Sequence, residues 1–356
     1  MRLKIIRITT LLDFGGQEKQ YVSFTEKKDL LQNEYVFAAI GHGGHAEKEI
    51  NANGFRVMVF NSNPAVYNLK NIWKLYRWFK KERPDIVHTA AAEANFHGVI
   101  AAKLAGIPLV VAEEIGFPNH SGKAKIMFKL VYTLADKVIC VSEAVKKFLV
   151  TLKEIQPSKG VVIYNPVSTP KALPVSKEEQ FTIVTVGRLE KVKNQELLLR
   201  AFAKIGKDTS RLIIVGDGRE RHRLETLAET LGVYDRVLFT GFTSEPEGYL
   251  SQAHLFVLPS FSEGFGIAAV EAMLLKVPCL CSNVGGLPEI IDDGTTGWLF
   301  NPHSESELAD KLLTVMAMER TALSLIGQNG YRKVAGTFTV ENYITQLENF
   351  YKSLND

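Results

Sequence analysis

The sequence predicts an α/β protein of two doubly wound, Rossmann-like domains facing a cleft. Three observations lead there. Short apolar runs alternate with helix-length stretches from end to end, a proline-rich segment interrupts that alternation near the middle, and 356 residues are enough for two cores of ordinary size.

Taken in order, strands are expected at 3–8 around Ile5 and Ile6, 35–40 around Val36 and Phe37, 56–60 around Val57 and Val59, 86–88 at Ile86 and Val87, 108–112 around Val110 and Val111, and 137–141 around Val138 and Ile139. The second series runs 181–186, 212–215, 237–239, 255–258 and 278–282. Helix-length patterns fall between them at 69–82, 95–104, 143–152, 195–205, 219–231 and 304–317, with a last one at 340–354. Strands that alternate with helices form parallel sheets covered on both faces. The segment 166–174 carries Pro166, Pro170 and Pro174 and is read as the linker, so the domains are expected at 1–168 and 178–338, with 339–356 as a terminal helix. Ligands on such sheets bind beyond the carboxyl ends of the strands.

A hydrophobic share of 46% marks a globular chain, and a formal net charge of +3 is too mild to indicate a nucleic-acid partner. No apolar run approaches the roughly 20 residues that span a bilayer. Met1-Arg2-Leu3-Lys4 leads into a strand-like run without the shape of a signal peptide, so a cytoplasmic location is expected. Cys140, Cys279 and Cys281 lie in apolar stretches and read as buried thiols. Two of them without a second pair or a nearby His make a poor zinc site, and no metal is expected.

The most informative segment is Glu263-Gly264-Phe265-Gly266-Ile267-Ala268-Ala269-Val270-Glu271. It sets two carboxylates at either end of a glycine turn that opens an apolar, deeply buried helix. Glu271 leans back toward the turn and needs hydrogen-bond donors there, as a small polyol would supply. The first-turn N–H groups behind Gly264-Phe265-Gly266 suit a phosphate, and Phe265, Gly266 and Ile267 are candidate donor contacts. Hydroxyls and an anion together suggest a nucleotide. The plainer alternative is a capping acid at Glu263 and an ion pair at Glu271.

This Glu-x7-Glu element resembles the donor-site signature of retaining, GT-B-fold glycosyltransferases of the family 4, or glycosyl transferases group 1, type. The resemblance implies transfer of a hexose-type sugar from a nucleotide diphosphate sugar, UDP being the commonest donor base, to a glycan or lipid-linked acceptor in cell-surface polysaccharide or glycolipid synthesis, with no cofactor and no metal. It implies that Glu263 positions donor-sugar hydroxyls, that Glu271 meets the ribose, and that the last helix returns to the first domain.

Further motifs extend the resemblance over nearly the whole chain. Gly187-Arg188-Leu189-Glu190-Lys191-Val192-Lys193 matches the Gly-Arg-Leu-x-x-x-Lys element and carries the phosphate role to Arg188 and Lys193, with Lys191 expected to face water. Gly216-Asp217-Gly218 resembles the second glycine turn near the nucleotide, and Gly241 with Phe242 lies where relatives hold the base. Gly285-Gly286 and Gly294-Thr295-Thr296-Gly297 complete the pattern. Because no Asp-x-Asp occurs, Arg188, Lys193 and the helix dipole must meet the charge on the leaving diphosphate.

In the first half, Gly15-Gly16 opens a helix after the first strand and lets a ligand approach the backbone. His88 at a strand end, with Glu113 and Glu114, are candidates for the acceptor side, where many relatives carry a histidine after the fifth strand and this chain reads Ala112-Glu113-Glu114. Basic and aromatic residues interleave across 69–81, and a basic-apolar stretch follows at 122–132, so peripheral contact with an anionic membrane is a further expectation. The competing readings are a nucleotide-sugar 2-epimerase on the same fold and a catalytically silent sugar-nucleotide binding protein.

Overall fold

A computed structural model of the chain describes residues 2–170, 180–205 and 210–355. The chain divides into two compact units, Met1–Val167 with Val340–Asp356, and Ser168–Thr339. Residues 171–174 of the expected linker and the expected domain start at 178 lie outside the described residues.

The first unit holds strands β1 (Lys4–Thr9), β2 (Glu34–Ala39), β3 (Arg56–Val59), β4 (Ile86–Ala90), β5 (Leu109–Glu114), β6 (Lys137–Cys140) and β7 (Gly160–Val162). They form one parallel sheet in the order β3-β2-β1-β4-β5-β6-β7. The second unit holds β8 (Phe181–Val186), β9 (Ser210–Val215), β10 (Val237–Gly241), β11 (Leu255–Leu258), β12 (Cys279–Ser282) and β13 (Trp298–Phe300), again parallel, in the order β10-β9-β8-β11-β12-β13. In each sheet the winding reverses beside the first strand, between β1 and β4 and between β8 and β11. That crevice beyond the strand carboxyl ends is where such sheets receive ligands.

Two strands, β7 and β13, are absent from the expected series. Each is a three-residue edge strand, too short to show periodicity and kept short where an unpaired edge would invite aggregation. Strands β4 and β5 run two residues past their expected ends. His88 is therefore interior to β4, paired with Arg7 and Val111, and is not at a strand end.

The first core stacks Ile5, Phe37, Ile86 and Val111 of the sheet against Tyr21 and Phe24 of helix Gly16–Glu26 and Ile344 and Leu347 of the last helix, Val340–Asn355. Each such side chain stabilises by about 1.5–3 kcal/mol relative to exposure. The last helix is fixed to this unit by polar contacts too. Buried Glu348 accepts from Gln32 N at 3.1 Å, from the Tyr35 hydroxyl at 2.8 Å and from the Asn33 amide. The second core sets Ile183, Ile214, Val257 and Leu280 against Leu198, Phe202, Leu308 and Leu312. All three cysteines are buried free thiols, and burial pushes each of them up from its ordinary value. No described helix is long and apolar enough to cross a membrane.

Candidate active site

In the second unit, the loops leaving β8 and β11 meet at the winding reversal, and they carry Arg188, Lys193 and Glu263. After Gly187 the chain turns through a 3-10 turn, Lys191–Lys193, into helix Gln195–Ala203. Lys193 Nζ lies 2.6 Å from Glu263 Oε2, with both side chains largely covered, and the Ser260 hydroxyl donates to that oxygen at 3.2 Å. Arg188 is exposed, and among the described residues its guanidinium has no ion-pair partner. Its carbonyl is held by the buried Gln195 amide at 3.0 Å. Lys191 points to solvent.

Three residues outside the sequence motifs hold this arrangement. Ser260 is fully buried and Gln195 nearly so, and Asn194 takes a left-handed φ of 54° that asparagine tolerates. The Asn194 amide donates to the Pro259 and Pro302 carbonyls, each at 3.1 Å, tying the lysine loop to the loop of Glu263. The signal available in sequence is adjacency alone, Asn194 and Gln195 following Lys193, and Ser260 preceding Glu263 by three.

Gly216 and Gly218 sit against this loop and not in open space. A Cβ on Gly216 would stand 2.1 Å from the Gly187 carbonyl oxygen, and one on Gly218 would stand 2.4 Å from that of Leu189. Leu189 N donates to Asp217 O at 2.9 Å, and Gly216 N to Gly241 O at 3.0 Å. The glycines thus let three loops stack backbone on backbone. Gly241 has φ 77°, and the Phe242 ring that follows is 60% exposed at the strand end.

Helix Ile267–Leu274 starts at Gly266, whose φ of 116° suits glycine. Phe265 beneath it is buried edge-on to Phe338 at 5.1 Å. The helix is not buried all round, as its apolar sequence suggests. Ala269, Val270, Ala272 and Met273 are covered, whereas Ile267, Ala268 and Glu271 are only half-buried. One flank therefore stays open, and Glu271 stands on it one turn from the helix mouth.

In the first unit, Gly15 and Gly16 are exposed and open helix Gly16–Glu26, with Glu18 folded back over Gly15. His88, Glu113 and Glu114 lie elsewhere than on an acceptor surface, for all three are buried and paired within the unit. His88 Nδ1 is 2.5 Å from the Tyr351 hydroxyl and its Nε2 is 3.1 Å from Glu113 Oε2, which also faces Arg7 at 3.4 Å. Burial pushes His88 down toward the neutral form. Burial would raise Glu113, but His88, Arg7 and Gln20 outweigh it and hold the carboxyl below its ordinary value. Glu114, on the opposite face, accepts from the Tyr132 hydroxyl at 2.6 Å, and burial lifts it to about 7.

The family model described as Glycosyl transferases group 1 matches residues 171–333, and that described as Glycosyltransferase Family 4 matches residues 14–171. The chain is 28% identical over 311 residues to the UDP-Gal:alpha-D-GlcNAc-diphosphoundecaprenol alpha-1,3-galactosyltransferase of Escherichia coli, covering 80% of each. It is 26% identical over 309 residues to the capsular polysaccharide biosynthesis glycosyltransferase CapM of Staphylococcus aureus, covering 80% of this chain and 81% of that one. Among solved structures, Anabaena HepE in complex with UDP aligns at a TM-score of 0.84 and 21% identity, over 99% of this chain and 100% of that one. At that identity the likeness is one of fold, the GT-B type.

Proposed function

We infer the reaction of this chain, which belongs to the glycosyl transferases group 1 family and is a glycosyltransferase of GT-B fold. It transfers a hexose-type sugar from a nucleotide diphosphate sugar, UDP by preference, to a glycan or lipid-linked acceptor in cell-surface polysaccharide or glycolipid synthesis. The transfer retains the anomeric configuration and uses neither metal nor cofactor. The observation that carries this reading is the convergence of Arg188, Lys193 and Glu263 at the β8/β11 reversal, with the open flank of helix Ile267–Leu274 beside them.

The chemistry follows from the charges. Arg188 is an exposed cation on an anchored backbone, so it meets a diphosphate without breaking an existing pair. Lys193 is preset by Glu263 and Ser260 and reaches the same anion. Together with the helix N-terminus they stabilise negative charge as it grows on the departing nucleotide diphosphate. Glu263 uses one carboxylate oxygen on Lys193 and offers the other to donor-sugar hydroxyls. Glu271, half-buried on the open helix flank, is assigned to the ribose hydroxyls, and the exposed Phe242 ring offers an aromatic face to the base. The acceptor hydroxyl attacks from the face the diphosphate leaves, forming the new C–O bond as the old one breaks, and its proton passes to the departing diphosphate oxygen. The relatives support the substrates: the Escherichia coli enzyme is named for UDP-Gal and a diphosphoundecaprenol-linked acceptor, and the HepE structure holds UDP.

The test is release of UDP from UDP-sugars in EDTA, with and without a diphosphoundecaprenol-linked GlcNAc acceptor. Acceptor-dependent release that persists in EDTA and falls about 100-fold or more in Arg188→Ala is expected. Release without acceptor points instead to epimerase-like or hydrolytic chemistry, and activity lost on chelation but restored by magnesium or manganese overturns the metal-free account.

A further inference from the structure

The second unit contains a groove of about 590 Å³ that none of Arg188, Lys193, Glu263 or Glu271 lines, a volume in the ordinary range for small-molecule sites. It lies behind the phosphate loop, between helices Gln195–Ala203 and Arg221–Thr230 and the 261 and 302–303 turns. The lining includes a network of planar charged groups. Glu196 Oε1 accepts from Arg200 at 3.0 and 2.8 Å and its Oε2 accepts from Arg223 at 2.6 Å, while Arg223 Nε donates to Glu220 at 2.6 Å. The same lining carries an aromatic face, Phe261 stacked on His303 at 5.2 Å and 25° between planes, with Phe261 42% exposed.

The lining specifies its ligand by what it lacks. Lys191, Arg200 and Arg223 are matched by Glu190, Glu196 and Glu220, so the groove has no excess charge with which to hold a phosphate or a nucleotide. What it offers is an exposed aromatic ring, whose electron-rich face attracts C–H bonds, and a fence of mutually paired, partly exposed guanidinium and carboxylate groups whose spare donors and acceptors suit adjacent hydroxyls. The ring packs one face of a sugar and the fence reads its edge. We propose that this groove is a second carbohydrate site, which binds a neutral saccharide separately from the nucleotide-sugar donor.

The site is joined to the reacting end. Glu190 and Lys191 share the loop of Arg188 and Lys193, Phe261 N donates to Val192 O at 2.8 Å, and Gln195, on the groove floor, holds the Arg188 carbonyl at 3.0 Å. A saccharide seated there braces the phosphate loop from behind, so a glycan already made by the enzyme can steady the clamp for the next transfer.

The experiment is saturation-transfer NMR on the full chain with methyl glycosides of glucose, galactose and N-acetylglucosamine, with and without a saturating mixture of UDP, GDP and ADP. Expected is transfer to at least one glycoside that survives the nucleotides and weakens about tenfold in Phe261→Ala and in Arg223→Ala. Because His303 and Arg223 are on the surface, His303→Ala and Arg223→Ala keep the test open if Phe261→Ala fails to fold. No transfer to any glycoside, transfer abolished by the nucleotides, or transfer indifferent to Arg223→Ala and His303→Ala overturns the proposal. The site rests only on the fold of the second unit, so absence of acceptor-dependent UDP release, which sinks the transferase reading, leaves the glycoside measurement to stand or fall separately.

Discussion

Glu113 and Glu114 are consecutive on β5, face opposite sides of the first sheet, and move in opposite directions in pKa. Glu113 has Arg7 and His88 beside it and stays charged. Glu114 has only neutral donors, the Tyr132 hydroxyl and the Ile115 backbone N–H, and burial outweighs them and raises it from 4.5 to about 7. The sign follows: between those values the folded chain binds the proton more tightly than the unfolded one, so stability is full below about pH 4.5 and is lost as pH rises toward 7. Glu114→Gln removes that loss. Urea unfolding of both proteins is expected to show similar stability at pH 5 and a relative gain for the variant at pH 8 of up to about 3 kcal/mol. A gap that does not widen with pH contradicts the assignment. In the sequence Glu113 and Glu114 look alike, because their charge partners come from Arg7, His88 and Tyr132 and adjacency says nothing of them.

Glycine marks both the turn that opens a helix and the turn that lets backbones touch, and local sequence does not separate these uses. Gly216-Asp217-Gly218 resembles a turn made for a ligand, yet its missing Cβ atoms face Gly187 and Leu189 carbonyls. These glycines therefore support the Arg188–Lys193 loop by backbone packing. Gly216, at φ 137°, is therefore expected to be intolerant: Gly216→Ala must push the Gly187 loop aside, costing about 1–3 kcal/mol and weakening UDP-sugar binding. Gly232 is the control. Its φ is 67° and a Cβ there would meet nothing within 4 Å, so Gly232→Ala loses about 1 kcal/mol and keeps donor binding. Thermal melts with and without UDP distinguish the two, and equal nucleotide shifts in both variants refute the coupling. At this scale the regular elements were legible, since buried parallel strands are apolar throughout. Strands β7 and β13 escaped because three residues carry no period.

Across the first unit, helices Lys70–Glu82 and Lys123–Leu134 flank helix Ala92–Ala105 and leave unusual side chains in solvent. Tyr67 is 78% exposed, Trp73 62%, Ile126 65% and Leu130 61%, and they alternate with exposed Lys70, Lys74, Arg77, Lys80, Lys123 and Lys129. Apolar side chains among cations that have no ion-pair partner among the described residues suit an anionic lipid surface, each Lys or Arg adding about 1 kcal/mol near it. Co-sedimentation with phosphatidylglycerol vesicles at low salt is expected, with little on phosphatidylcholine and a several-fold loss in Trp73→Ala combined with Lys74→Ala. Negligible binding to the anionic vesicles removes membrane docking from the functional account.

Alternation of apolar runs determined two parallel α/β sheets, and the loops after the strands marked where chemistry concentrates, because both are written in neighbouring residues. The sequence motifs single out Lys193 and Glu263 independently. That they pair at 2.6 Å is a consequence of β8 lying beside β11, an adjacency between segments seventy residues apart that only sheet order decides. Tertiary structure also decided that His88 and Glu113 are interior, held by Arg7 and by Tyr351 from the last helix. Charge and spacing in the chain set what a residue can do; burial and partners, which depend on distant segments packing together, set what it does.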